Sequence, residues 1–112
     1  MTPVETLHDA LTRSDAPSRA ELLDTVSTFL EFVSDDSFDF EDDEDGIASD
    51  LVRAIYWAMY DCHGGMWSRE YALACRCSGI YRPGMGEVGP EEESSAWDYY
   101  QAMCYPLPES ST

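Results

Sequence analysis

Residues 47–62 decide the fold, and they read Ile47-Ala48-Ser49-Asp50-Leu51-Val52-Arg53-Ala54-Ile55-Tyr56-Trp57-Ala58-Met59-Tyr60-Asp61-Cys62. Only Ser49, Asp50, Arg53 and Asp61 are strongly polar in this stretch. A helix that is apolar on nearly every side usually lies at the centre of a helical protein. The stretch therefore predicts a central helix from residue 47 to about residue 62, which the glycine pair at 64–65 would end.

Residues 18–33 have the clearest amphipathic pattern in the chain. Ser18 and Glu21 have the spacing of a capping box, which marks the start of a helix. Apolar residues then recur at helical spacing: Leu22, Leu23, Val26, Phe29, Leu30 and Val33. We predict a helix over residues 19–33, with residues 22–33 and 47–62 packed together. One core should then contain Leu22, Val26, Phe29, Leu51, Ile55 and Met59.

The two ends of the chain predict one helix each. Near the amino terminus, Thr2 and Glu5 form a second capping box, with Pro3 at the first helical position. Residues 15–17, Asp-Ala-Pro, should end this short helix. The last helix is predicted to open at Pro90, run through Trp97, Tyr100 and Cys104, and stop before Pro106.

Residues 67–82 fit two patterns. Tyr71, Leu73, Cys75 and Cys77 alternate with other residues as in a strand. The run Ala72-Leu73-Ala74 consists of good helix formers and favours a helix. A helix is the preferred interpretation, and a minor β element at 71–82 is the alternative.

These patterns together predict an all-α protein, a bundle of four to five helices. A length of 112 residues suits a single domain over 1–112. Within it we expect an acidic loop at about 35–46, a Gly/Pro loop at 83–90 and a loose tail at 106–112.

Charge is the most unusual feature of the composition. The chain has 23 Asp and Glu, six Arg and no Lys, which gives a net charge of −17. Residues 1–56 contain 15 acids and three Arg, for −12, whereas residues 57–112 contain eight acids and three Arg, for −5. Such a chain should repel nucleic acid and anionic membranes and attract a basic protein surface. Adaptation to high salt is the bland explanation, but it usually spreads acids over the whole surface.

The acids are densest at residues 35–45, where eight of 11 positions are acidic. Like charges at this density disfavour a helix and favour an extended loop, which Phe38 and Phe40 would pin to the body. Eleven extended residues span roughly 36 Å, or about 4.5 Å per charge. A DNA strand presents a phosphate about every 3.4 Å, so a mildly bent loop would match its charge density.

Four cysteines raise the question of a metal. Cys62, His63, Cys75 and Cys77 form a four-ligand set on paper. A zinc knuckle places two residues between paired ligands, whereas one residue separates Cys75 from Cys77. We therefore expect four free thiols, no metal and no cofactor. The metal-binding set remains an alternative.

Calcium binding and catalysis have weaker support. Residues 41–46 resemble the front of a calcium-binding loop, but position 12 of that loop, which requires Glu, is Val52. Two histidines, His8 and His63, are available as bases, and the one beside a nucleophile, His63 next to Cys62, would point away from it in a helix. Residues 84–89 match G-x-G-x-x-G without the βαβ context that a dinucleotide site needs. We therefore expect a binding protein and no enzyme.

Small acidic chains without catalytic motifs include phage-encoded inhibitors that imitate nucleic acid, with restriction enzymes or CRISPR effectors as targets. They also include immunity proteins against nuclease toxins. The leading hypothesis is an inhibitor of a basic nucleic-acid-handling enzyme, of the anti-CRISPR or anti-restriction type. The alternatives are an immunity protein, a small metal-binding regulator and a salt-adapted adaptor. The predicted partner-binding residues are Asp35, Asp36, Asp39, Glu41, Asp42, Asp43, Glu44, Asp45, Glu91, Glu92, Glu93 and, as an exposed aromatic anchor, Tyr99.

The start of the chain has no basic segment followed by an apolar stretch, and no apolar run reaches 18 residues. These features predict a cytoplasmic protein, in the cytoplasm of the host cell if a phage encodes it.

Overall fold

The computed structural model describes residues 2–13, 17–39, 41, 46–61, 66–80 and 95–104. Within these ranges the backbone forms five α-helices and no strand, which confirms the all-α prediction. The helices are α1 (Pro3–Thr12), α2 (Arg19–Ser34), α3 (Ile47–Asp61), α4 (Met66–Ser78) and α5 (Ser95–Cys104). None of these five combines the length and apolar character needed to cross a lipid bilayer.

The first two helices begin where their caps predict. The Thr2 side chain accepts from the Glu5 N–H at 3.2 Å and the Glu5 carboxylate accepts from the Thr2 N–H, so the capping box of α1 is complete. At α2, the Ser18 hydroxyl accepts from the Glu21 N–H at 3.1 Å. The other half of this second box is replaced, because the Glu21 carboxylate accepts from Arg13 instead.

Helix α3 is enclosed, as its sequence predicts. Among its side chains from residue 47 to residue 59, only Arg53 is exposed. Leu51, Ile55 and Met59 are buried in one apolar cluster, and the same cluster contains Leu22, Val26 and Phe29. The predicted composition of the core is therefore confirmed.

Residues 22–33 and 47–62 share one core, as predicted, but α2 and α3 are not nearest neighbours. Helix α3 packs against α5 and α4, and α2 packs against α4 and α1, while the α2 and α3 backbones scarcely approach each other. Helices α4 and α1 each pack against both α2 and α3. They therefore lie between α2 and α3, which face the same core from different sides.

Helix α4 resolves the ambiguity of residues 67–82. Tyr71 and Cys75, four residues apart, are buried, whereas Leu73 and Cys77 are exposed. This is the burial pattern of a helix face rather than of a strand. The helix ends at Ser78, and Gly79 follows with a φ of +75°, a left-handed conformation that glycine adopts without strain.

Two buried tyrosines fasten α3, α4 and α5 by their hydroxyls. The Tyr71 hydroxyl donates to the Met103 carbonyl at 3.0 Å, which joins α4 to α5. The Tyr56 hydroxyl of α3 donates to the Ile80 carbonyl just beyond α4. No charged side chain among the described residues is fully buried, so the charges of these residues are all at least partly exposed.

Candidate functional site

The exposed carboxylates of the described residues are concentrated in the first 41 residues. We call this set the acidic surface, and it consists of Glu5, Asp9, Glu21, Asp24, Glu31, Asp35, Asp36, Asp39 and Glu41. Helix α1 contributes two of them, α2 three, and the segment after α2 the other four. Outside this set, the only exposed carboxylate among the described side chains is Asp98.

Helix α2 supplies a row of charge. Glu21, Asp24 and Glu31 lie at spacings of three and seven residues, which places them on one side of the helix. Asp35 caps the carboxyl end of the helix and extends the row. At 1.5 Å per residue, the row from Glu21 to Asp35 is about 21 Å long.

The exposed sides of α1 and α2 adjoin. Pro3 and Thr6 of α1 line a shallow groove together with Asp24, Thr25 and Thr28 of α2. At the other end of the helix pair, Arg13 donates to both carboxylate oxygens of Glu21, at 2.9 and 3.0 Å. The carboxylates of both helices are therefore presented from one packed helix pair.

The described first part of the acidic run lies outside the helices, as predicted, but residues 35–38 form a turn and not an extended loop. The Phe38 N–H donates to the Asp35 carbonyl at 3.0 Å and closes a four-residue turn. The Asp35 carboxylate accepts from both the N–H and the hydroxyl of Ser37, each at 2.8 Å. These bonds, the backbone one first, lower the pKa of Asp35, so its negative charge persists well into acid.

A second carboxylate of the acidic run also accepts a hydrogen bond from the nearby backbone. The Asp39 carboxylate accepts from the Glu41 N–H at 2.8 Å. Asp side chains that bond to the backbone two residues ahead form such turns readily. Local hydrogen bonding therefore outweighs like-charge repulsion here, and it compacts the charges that repulsion alone would spread.

Phe38 holds the turn against the helices, as predicted. It is half-buried, and its ring meets the ring of Phe32 edge-on, with 5.3 Å between the centroids. Both rings pack on the periphery of the core. Phe40, the other predicted pin, lies outside the described residues.

Two described arginines form ion pairs, and one of these pairs includes a carboxylate of the acidic surface. Arg13 pairs with Glu21, and Arg19 pairs with Glu70 of α4. The exposed arginines among the described side chains, Arg53, Arg69 and Arg76, lie on α3 and α4. The exposed arginines and the carboxylates of the acidic surface are thus on different elements of the chain.

Some predicted binding residues lie outside the described residues: Asp42, Asp43, Glu44, Asp45, Glu91, Glu92 and Glu93. The acids at 35, 36, 39 and 41 are exposed as predicted. The exposed acids of α1 and α2 were not predicted as site residues. The helical periodicity could have identified them, because they occupy the positions on the side of each helix opposite its apolar residues.

The prediction that Tyr99 is exposed is wrong, because only 6% of it is accessible. Ala96, Tyr99, Tyr100 and Met103 form the buried face of α5 at spacings of three and four residues. The ring of Tyr99 meets the ring of His8 edge-on at 5.7 Å. Burial raises the pKa of Tyr99, and the nearby charges of Asp50 and Asp98 raise it further.

The two described members of the predicted metal-binding set, Cys75 and Cys77, do not lie on the same side of α4. Cys75 is fully buried and Cys77 is exposed, and both are free thiols. Burial raises the pKa of Cys75 to about 12, so its sulfur is a neutral, unreactive thiol. Cys62 and His63 lie outside the described residues, and the described part of the chain contains no group of three metal-ligating side chains.

Comparison of the chain with protein-family models, with curated proteins and with solved structures found no match. Any functional argument therefore depends on the residues and surfaces of this chain alone.

Proposed function

We propose that this protein is an inhibitory binder of a basic nucleic-acid-handling enzyme or effector complex. Its acidic surface would occupy the groove that the enzyme builds for phosphates, in the manner of anti-CRISPR or anti-restriction inhibitors. A groove filled by carboxylates excludes nucleic acid, and opposite charge accelerates the encounter. The proposal describes binding and not catalysis.

The observation that carries the proposal is the uneven placement of charge. Residues 1–56 have a net charge of −12 and residues 57–112 a net charge of −5. Among the described side chains, nine of the ten exposed carboxylates belong to α1, α2 and the segment after them, and the exposed arginines belong to α3 and α4. A chain that needs charge only for hydration would gain from acids on every helix. The asymmetry is what a surface directed at one basic partner requires.

The shape of the turn changes the kind of mimicry that we propose. Residues 35–38 close a turn, so their charges do not follow one another at the regular spacing of a nucleic-acid strand. The row on α2 and the compact turn together provide a dense negative patch. We therefore propose imitation of the charge density of nucleic acid rather than of its strand geometry.

Capture of the partner and competition by nucleic acid test the proposal. The tagged protein would be incubated with host lysate at low salt, and retained proteins identified by mass spectrometry. The purified partner would then be titrated with the protein in the presence of increasing amounts of DNA or RNA.

We expect a basic nucleic-acid-binding protein, released by salt and by its own nucleic acid in a mutually exclusive way. A partner that binds the protein and nucleic acid simultaneously would contradict the blocking of a phosphate groove. So would retention that does not depend on salt, because it would show that charge does not drive the contact.

A further inference from the structure

A groove opens beside the turn that begins the acidic run. Val4 of α1, Phe32 of α2 and Phe38 of the turn form its apolar wall, and Asp39 supplies a carboxylate. Its volume is about 320 Å³. Small-molecule pockets have about 300–1,000 Å³, so this groove has room for one long side chain rather than a large ligand.

We infer that this groove receives an arginine side chain of the basic partner. The inference rests on the proposed function, and it names the contact that the acidic surface makes beyond charge attraction. The aliphatic stem of arginine would lie along the apolar wall, and its guanidinium group would meet the phenylalanine rings and Asp39.

Charge complementarity selects a cation for this position. The groove lies within the part of the chain whose net charge is −12, and Asp39 is one of its lining residues. The Asp39 carboxylate accepts one bond from the Glu41 N–H. A carboxylate has about four acceptor sites, so the same group has capacity for a guanidinium. A nucleic acid would bring phosphates to this position and be repelled.

The aromatic wall selects arginine over lysine. A guanidinium is planar, weakly hydrated and able to stack on an aromatic ring while it donates two parallel bonds to a carboxylate. An ammonium is strongly hydrated and interacts as a point charge. Phe32 and Phe38 are both half-buried, so their rings are held in place while part of their surface remains accessible.

The test uses two nine-residue peptides, one with three arginines and the other with three lysines at the same positions. Their affinities for the full-length protein would be measured by calorimetry at two ionic strengths. The equal charge of the peptides means that the difference between them isolates the guanidinium. We expect the arginine peptide to bind more tightly by up to about two- to fivefold, the full strength of a cation–π contact at an exposed site, since lysine makes a weaker contact of this kind.

Two variants locate the effect. Phe38→Leu keeps an apolar side chain and removes one of the two rings, so it should reduce the preference for arginine and change the binding of the lysine peptide less. Leu73→Ala, at an exposed position of α4, is the matched control and should keep the full preference. Far-ultraviolet circular dichroism of each variant would verify that the fold is retained.

Equal binding of both peptides to the wild-type protein, or an unchanged preference in Phe38→Leu, would overturn the inference. The proposed function would survive either result as long as both peptides bind in a salt-dependent way. If neither peptide binds, both the groove and the proposed charge-driven contact are contradicted.

Discussion

Helices α2 and α3 are nearly equal in length, at 16 and 15 residues, yet they differ in the number and charge of the side chains that they expose to solvent. From residue 47 to residue 59, α3 presents one exposed side chain, that of Arg53. Helix α2 buries five side chains and exposes a row of carboxylates on its other side. The two helices share one core, although each packs more closely against other helices than against the other.

Helix α3 contributes mainly to stability, whereas α2 and the turn after it contribute much of the exposed charge. Apolar burial is the dominant favourable term in folding, and α3 contributes most to it. Glu21 and Asp35 form local bonds, but exposed like charges oppose folding slightly, so stability does not explain the number of acids on α2 and the turn. Changes in α3 should therefore unfold the protein, whereas changes of surface charge should leave it folded.

The largest effect is expected from Leu51→Ala. Leu51 is fully buried, and a Leu→Ala change in a core costs about 2–5 kcal/mol. The free energy of unfolding, measured by urea denaturation, should fall by that amount. The exposed Thr28→Ala change on α2 is the control, expected within about 0.5 kcal/mol of wild type. An unchanged midpoint for Leu51→Ala would contradict the central position of α3.

A smaller effect should come from the cap of α2. The Ser18 hydroxyl accepts from the Glu21 N–H, and loss of such a cap costs about 1 kcal/mol. We expect Ser18→Ala to lower the free energy of unfolding by that amount. Glu21→Gln breaks a surface ion pair with Arg13 and should cost less, at most about 0.5–1 kcal/mol. The reverse order would mean that the ion pair, and not the cap, fixes the start of α2.

No change in stability near neutral pH is expected from thiol ionisation, but the two described thiols should differ in reactivity. Cys77 is exposed and should be alkylated readily in the native state, whereas buried Cys75 should react only on unfolding. The pKa of Cys75 is raised from 9.0 to about 12. The unfolded state therefore loses this proton first, and stability should decline as the pH rises from 9.0 towards 12.

Mass spectrometry after timed alkylation measures the first effect, and urea denaturation against pH measures the second. Leu51→Ala should accelerate the labelling of Cys75 and leave that of Cys77 unchanged. Equal native reactivity of the two thiols would contradict the packing of α4.

Sequence periodicity was enough to predict the helices and the membership of the core. It could not predict that α2 packs mainly on α1 and α4, and α3 mainly on α4 and α5, because an apolar face does not specify which neighbour covers it. Residues 71–77 fit both patterns, because Tyr71 and Cys75 belong to a strand-like alternation and are also four residues apart, as on one side of a helix. The burial of Tyr71 and Cys75 with Leu73 exposed identifies the helix. Tyr99 was misjudged although its spacing from Ala96 and Met103 marks the buried face of α5.

The candidate site was predicted less completely. Like-charge repulsion suggested an extended loop, whereas the carboxylates of Asp35 and Asp39 bond to the backbone and fold the segment into turns. The acids of α1 and α2 give no signal as a group in the sequence, because each stands singly between uncharged residues. They form a row only when the helix brings every third or fourth residue to one side.

The most direct test of the central claim is the association rate of the protein with its partner as a function of ionic strength. One variant neutralises the acidic run by changing Asp39, Asp42, Asp43 and Asp45 to Asn. The matched control removes the same number of charges from residues 57–112, by changing Asp61 and Asp98 to Asn and Glu87 and Glu109 to Gln. Urea denaturation of both should show stability equal to or above that of the wild type, since repulsion falls.

We predict that the neutralised run slows association at low salt by about tenfold or more and flattens its dependence on salt, because electrostatic steering accelerates encounters by 10-fold to about 1,000-fold. The control should retain most of the wild-type rate and slope. If the variant with the neutralised run associates as fast as the wild type with the same salt dependence, the run is a solvated loop and the proposed mode of binding is wrong.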